Sequence, residues 1–118
     1  MKENTAQKCL DFIKDGVSCY HVVDAVEKKL AQAGFKCLEE KEEWNLVKGK
    51  DYYVKRNDSS LMAFRIPEDE MKGFHIVASH SDSPCFKLKT KPELLAEERY
   101  LRLNTEGYGG MIYSTWFD

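Results

Sequence analysis

Two amphipathic helices are predicted at the start of the chain. Between Asn4 and Asp15, apolar residues recur every three or four positions, and Gly16 follows as a stop signal. Ser18 can cap a second helix, because its hydroxyl can accept a hydrogen bond from a free backbone N–H at a helix start. One face of this helix is apolar, and Gly34 ends it. The apolar face consists of Val22, Val23, Val26, Leu30 and Ala33.

After the second helix, the apolar residues come in short groups that predict strands. The first groups lie at residues 35–38, 44–46 and 52–56. The polar run 57–60 has the short side chains that hydrogen-bond local backbone in turns. An apolar run over residues 61–66 follows it, so that a β-hairpin is predicted there.

A continuous β-favouring run, residues 74–78, predicts a strand that is buried on both faces. It leads into the polar segment 79–84, and chemistry often lies where a buried strand ends. Strand-like runs follow at 86–89 and 100–103, and the glycine-rich residues 107–110 predict a tight turn or loop. The predicted fold class is α/β, with the two N-terminal helices packed on a mixed β-sheet.

Composition narrows the range of partners. The 118 residues are long enough for one compact domain. The 18 basic and 20 acidic residues are spread along the chain, so no basic stripe predicts a nucleic-acid partner. No apolar stretch approaches the roughly 20 residues that cross a bilayer, and the first residues lack a signal-peptide core. We therefore expect a cytoplasmic location and no membrane partner. The four scattered cysteines are expected to be reduced and mostly buried thiols.

The segment 79–84 gathers a histidine, a carboxylate and three hydroxyls. In an extended chain His80 and Asp82 point to the same side, because side chains alternate with a period of two. A neutral imidazole binds zinc through one nitrogen, and a carboxylate that accepts the other N–H fixes the tautomer and the ring orientation. His80 is therefore a candidate zinc ligand, and Asp82 a candidate for orienting it. By spacing alone, a structural role for the pair is equally consistent.

Other polar residues have simpler structural interpretations. His21 lies on the second helix and His75 beside an apolar run, so we expect packing or capping roles for both. The three serines of segment 79–84 lack the G-x-S-x-G elbow and the nearby base that a serine nucleophile needs. Cys85 could bind a metal as a thiolate, but its position after Pro84 favours a packed thiol.

Short motifs along essentially the whole chain resemble those of one protein family, and they occur in the same order as in that family. Residues 74–84, followed by Phe86-Lys87-Leu88-Lys89, resemble the first metal-ligand segment of the aspartyl aminopeptidase family, which reads H-x-D-S-P and then a Lys-bearing strand. The other landmarks that resemble this family are Tyr20-His21-Val22-Val23, Gly34-Phe35, Trp44-Leu46-Gly49, Tyr52 with Arg56, Ser60-Leu61-Ala63-Phe64, and Tyr108-Gly109-Gly110 with Ser114-Thr115-Trp116-Phe117-Asp118.

The resemblance implies an aminopeptidase that removes N-terminal residues, Asp or Glu, from peptides and holds two zinc ions in its complete active site. It implies that His80 is a zinc ligand and that Asp82 is the catalytic-site residue that orients it. A bridging aspartate, a general-base glutamate, further carboxylate ligands and a late histidine are expected beyond Asp118. The chain alone is accordingly expected to be inactive and to bind zinc without forming a stable site.

The resemblance also implies a division into domains. Residues 1–84 would form the N-terminal part of the catalytic α/β domain, and residues 85–118 the start of a β-rich insertion domain used in subunit contacts. A homo-oligomer is therefore expected. The alternative is a non-catalytic binding or assembly module that has a peptidase-like fold.

Overall fold

The structure, a computed structural model, describes residues 4–116. Phe117 and Asp118, the last of the sequence landmarks, lie outside the described residues. The chain divides into two compact units, Met1–Asp82 and Ser83–Asp118. The assignment of residues 1–84 and 85–118 to two peptidase domains stays a prediction.

Two helices open the first unit, as predicted. Helix α1 spans Thr5–Asp15 and helix α2 spans Cys19–Gln32. The Asn4 side chain accepts a hydrogen bond from a backbone N–H of the first turn of α1 at 3.1 Å. Ser18 caps α2: its hydroxyl accepts from the backbone N–H of His21 at 3.4 Å and lies 2.7 Å from the Nδ1 atom of that residue. The cap predicted at Ser18 is thus confirmed, and both the backbone and the ring of His21 contact it.

A mixed three-stranded sheet follows, in the order β1-β2-β3. Its strands are β1 Lys36–Leu38, β2 Asp51–Arg56 and β3 Ser60–Arg65. β1 runs parallel to β2, and β2 runs antiparallel to β3 with Tyr53 opposite Ala63. The predicted α/β class, with two helices and a mixed sheet, is confirmed.

The core of the first unit is built around the central strand β2. Its buried residues are Val23 and Ala25 of α2, Leu38 of β1, and Tyr52, Tyr53 and Val54 of β2. Because successive side chains of a strand alternate between the two faces of the sheet, the side chains of Tyr52 and Tyr53 lie on opposite faces. The Tyr53 hydroxyl donates to the Glu27 carboxylate of α2 at 3.0 Å, which ties the helix to one face.

The prediction of a strand at residues 44–46 is wrong. The backbone of residues 44–46 is irregular. This region covers the face of the sheet opposite α2. The Trp44 ring stacks on Phe64 with 6.1 Å between ring centroids, and its Nε1–H donates to the Glu39 carbonyl at 2.8 Å. The hydroxyl of Tyr52 accepts from the Val47 backbone N–H at 2.9 Å. These residues are apolar because they cover the sheet, without belonging to it.

The prediction of a buried strand at residues 74–78 is also wrong. These residues form no regular secondary structure, and Ile76 and Val77 are 82% and 99% exposed. An apolar run becomes a strand only where neighbouring strands pair with its backbone and other elements cover its faces. No strand of the described chain pairs with it. The packing role predicted for His75 fails for the same reason, since this residue is exposed.

The second unit is an antiparallel hairpin. Its strands are β4 Cys85–Ala96 and β5 Tyr100–Tyr108, and a short 3₁₀ helix spans Tyr113–Trp116. Both predicted strand runs are confirmed, although the strands extend well beyond them. The predicted turn is displaced to Gly109, whose φ of +84° suits glycine, because β5 continues to Tyr108. Among residues 4–116, no helix is long and apolar enough to span a bilayer.

Candidate metal-ligand segment

The candidate site lies at the end of the first unit, in the irregular segment that follows β3. Residues 71–80 are all exposed, whereas Ser81 and Asp82 are half-buried. The segment therefore contacts the rest of its unit at the residues that directly follow His80.

His80 and Asp82 are brought together, as their spacing predicts. The Nδ1 atom of His80 lies 2.9 Å from the backbone carbonyl oxygen of Asp82 and 3.2 Å from its Oδ1 atom. Both of these oxygens are acceptors, so a neutral His80 ring carries its hydrogen on Nδ1. Its Nε2 atom then has a free lone pair and has no hydrogen-bond partner within residues 4–116. This is the tautomer in which an imidazole binds a metal through Nε2.

Ser81 contributes a contact that sequence reasoning missed. Its hydroxyl donates a 3.0 Å hydrogen bond to the backbone carbonyl of Ser59, in the turn between β2 and β3. The two residues are 22 positions apart, and neither lies in a pattern that signals the pairing. The other two serines of the segment, Ser79 and Ser83, are exposed.

The described chain offers only part of a metal site. No group of three or more His, Cys, Asp or Glu side chains within the described residues could hold a metal ion. Zinc sites use three or four protein ligands. His80 fits the requirements of one such ligand, because its Nδ1–H is held by two oxygens and its Nε2 lone pair is free. The remaining ligands of a zinc site are not supplied by residues 4–116.

Residues 12–118 match the protein family described as Aminopeptidase I zinc metalloprotease (M18). The chain belongs to this family. The M18 match confirms the predicted resemblance to aminopeptidases, and the family description supports zinc as the metal. It leaves the roles of His80 and Asp82 as predictions.

Known M18 proteins resemble the chain along nearly its whole length. It is 47% identical over 115 residues to a probable M18 family aminopeptidase 2 of Clostridium acetobutylicum, and 45% identical to the same kind of protein of Clostridium novyi. Each alignment covers 96% of this chain and 27% of the relative. The chain thus spans about a quarter of the length of these relatives.

A solved structure has the same fold. The dodecamer of mApe1 from S. cerevisiae superposes with a TM-score of 0.84 and 32% identity, over 98% of this chain and 27% of that protein. The fold described above is therefore that of an M18 aminopeptidase segment.

Proposed function

We propose that the chain is the N-terminal part of a zinc-dependent aminopeptidase that removes N-terminal residues, Asp or Glu, from peptides. The observation that carries this proposal is the M18 match over residues 12–118. The contact between His80 and Asp82 supports the assignment of their roles. The preference for acidic N-terminal residues is the most specific part of the proposal. It rests on the motifs of the sequence that resemble the aspartyl aminopeptidase family.

In this proposal His80 is a zinc ligand and Asp82 orients it. Asp82 accepts the Nδ1–H of His80 through its backbone carbonyl and its carboxylate, which holds the ring in one tautomer and limits its rotation. The Nε2 atom is the nitrogen that binds the metal. Zinc, when bound, supplies Lewis-acid polarisation and a water molecule whose pKa is lowered toward neutrality.

The chain alone is proposed to be inactive. One imidazole binds zinc weakly, and a dizinc site needs several carboxylate and imidazole ligands together with a general base. The full-length protein is proposed to act as a homo-oligomer on peptide substrates. The S. cerevisiae relative, which is described as a dodecamer, supports the oligomeric part.

The test of activity uses the full-length protein and short peptides with N-terminal Asp, Glu or a neutral residue. We expect release of Asp or Glu, and we expect a zinc chelator to stop it. Release of neutral residues alone would refute the acidic preference but would still support the aminopeptidase activity. No release from any peptide would favour the alternative of a non-catalytic binding or assembly module.

The test of the site is the substitution His80→Ala in the full-length protein. Loss of a metal ligand is expected to reduce turnover to near the background rate while the fold is retained. His75→Ala is the matched control, because His75 lies in the same segment and is exposed. Steady-state kinetics and circular dichroism of both variants check this. Wild-type turnover in a folded His80→Ala protein would refute the assignment.

A further inference from the structure

The backbone that carries His80 lies outside the helices and strands of the described residues. Residues 67–84 belong to no helix or strand there, and residues 71–80 are exposed. A metal ligand must be kept within roughly half an ångström of its working position. A contact that joins this segment to the three-stranded sheet therefore bears directly on the position of His80.

The hydroxyl of Ser81 provides such an attachment. It donates to the carbonyl oxygen of Ser59 at 3.0 Å, and Ser81 lies between the metal-ligand candidate His80 and its partner Asp82. The hydrogen bond thus holds the backbone between the two residues of the candidate pair, whose side chains lie together.

The acceptor belongs to the turn that joins two strands of the sheet. Ser59 closes the β2–β3 turn, where its backbone N–H donates to the Arg56 carbonyl at 3.3 Å. The two residues between them, Asn57 and Asp58, both have a φ of 52°. Strand β2 leads into this turn and carries three buried residues of the core. A continuous path therefore runs from the core through the turn to the candidate site.

We propose that Ser81 is a positioning residue, which sets the location of His80 and Asp82 relative to the three-stranded sheet through its hydrogen bond to Ser59. This inference rests on the function proposed above. Ser81 acts here as a hydrogen-bond donor and takes no part in the reaction itself, so a change at this position loosens the ligand geometry without removing a ligand.

The first test measures zinc affinity and kinetics of the full-length protein. Outer partners of metal ligands typically contribute about 10–100-fold to metal affinity or activity. We expect Ser81→Ala to weaken zinc binding about tenfold, measured by competition with a chelator of known affinity, and to lower kcat while KM is unchanged. Ser81→Thr keeps a hydroxyl donor and is expected to restore most of the loss. Ser79→Ala, which removes an exposed hydroxyl two residues away, is the matched control and is expected to match the wild type.

The second test is independent of activity. In the metal-free full-length protein, amide hydrogen exchange of Ser59, whose N–H donates to the Arg56 carbonyl in the turn that Ser81 contacts, is expected to be faster in Ser81→Ala than in the wild type and in Ser79→Ala. If Ser81→Ala fails to fold, Ser81→Cys replaces it, because a thiol is a weaker donor. Unchanged exchange and unchanged zinc affinity would overturn the inference. A wild-type protein that neither binds zinc nor cleaves peptides would instead refute the proposed function, while the exchange comparison would still decide the role of Ser81.

Discussion

Tyr53 joins helix α2 to the sheet through one hydroxyl group. It donates to one oxygen of Glu27 at 3.0 Å, and Lys55 donates to the other oxygen at 2.7 Å. Burial raises the pKa of Tyr53 to about 12, and the hydrogen bond to Glu27 adds to this shift. The hydrogen bond to Glu27 also raises the pKa of Lys55. Both groups therefore hold their protons more tightly in the folded state than in the unfolded chain.

The sign of these shifts predicts a loss of stability at alkaline pH. The stabilisation from Tyr53 is complete below its ordinary pKa of 10.0 and is lost as the pH rises toward about 12. Lys55 contributes in the same direction, because its pKa is raised from 10.5. We expect the urea midpoint of the chain to fall between pH 9 and pH 11.5, as measured by circular dichroism.

Tyr53→Phe tests the origin of this pH dependence. The variant is expected to lose about 1 kcal/mol of unfolding free energy at pH 7, because one hydrogen bond is removed, and to show a flatter alkaline decline than the wild type. Tyr20→Phe is the control, since Tyr20 is 59% exposed, and it is expected to keep the wild-type profile. Equal alkaline declines in all three proteins would contradict the role given to Tyr53.

At the same scale, the candidate site was only partly predictable from sequence. The proximity of His80 and Asp82 follows from the alternation of side chains over two residues, which is a local property of an extended chain. The contact between Ser81 and Ser59 depends on how the irregular segment passes the β2–β3 turn. No local pattern encodes that path, so only the structure could reveal it.

Among the elements, the β2–β3 hairpin depends most on the conformation of two residues. Asn57 and Asp58 both have a left-handed backbone, as the central residues of a type I′ turn do. Asn and Asp tolerate this conformation better than other non-glycine residues, and β-branched residues tolerate it worst. The sequence predicted the hairpin because these residue types favour turns.

A substitution at Asp58 tests the strain argument. Asp58→Val is expected to lower the unfolding free energy by about 1–2 kcal/mol, because a β-branched residue is strained at positive φ. Asp58→Gly is the matched control: it removes the same carboxylate, which lies 3.4 Å from Lys55, but accepts the left-handed backbone. Urea unfolding followed by circular dichroism measures both. Equal stability of the two variants would contradict the strain argument.

Of two apolar runs of similar composition, one forms a buried strand and the other is exposed. Residues 52–54 form the centre of β2, with a partner strand on each side, and are buried. Residues 74–78 are as apolar, but no strand of the described chain pairs with them. Composition predicts that a run can form a strand, whereas ladder partners decide whether it does.

At the scale of the whole molecule, both units expose large apolar side chains. In the first unit Phe74, Ile76 and Val77 are 80%, 82% and 99% exposed, and in the second Leu101 and Leu103 are 66% and 67% exposed. Contiguous exposed apolar surface promotes association. This chain, which spans about a quarter of the length of its relatives, presents such surface on each unit.

We therefore expect the chain to self-associate by itself. In sedimentation velocity, its average mass should rise with concentration over the micromolar range. The double variant Ile76→Ser and Val77→Ser is expected to reduce this rise, because it makes the exposed run polar. Lys72→Ser, an exposed polar change in the same segment, is the control. A wild-type chain that is monomeric at every concentration would contradict the expectation.

The sequence by itself determined the two capped helices, the β2–β3 hairpin, the pairing of His80 with Asp82 and the membership in a family of zinc aminopeptidases. These features depend on residues close together in the chain, or on an ordered set of short motifs. The tertiary structure decided that Trp44 covers Phe64, that residues 74–78 are exposed and that Ser81 is attached to Ser59. Each of these depends on which distant segments meet, and hydrophobicity and turn chemistry leave that choice open.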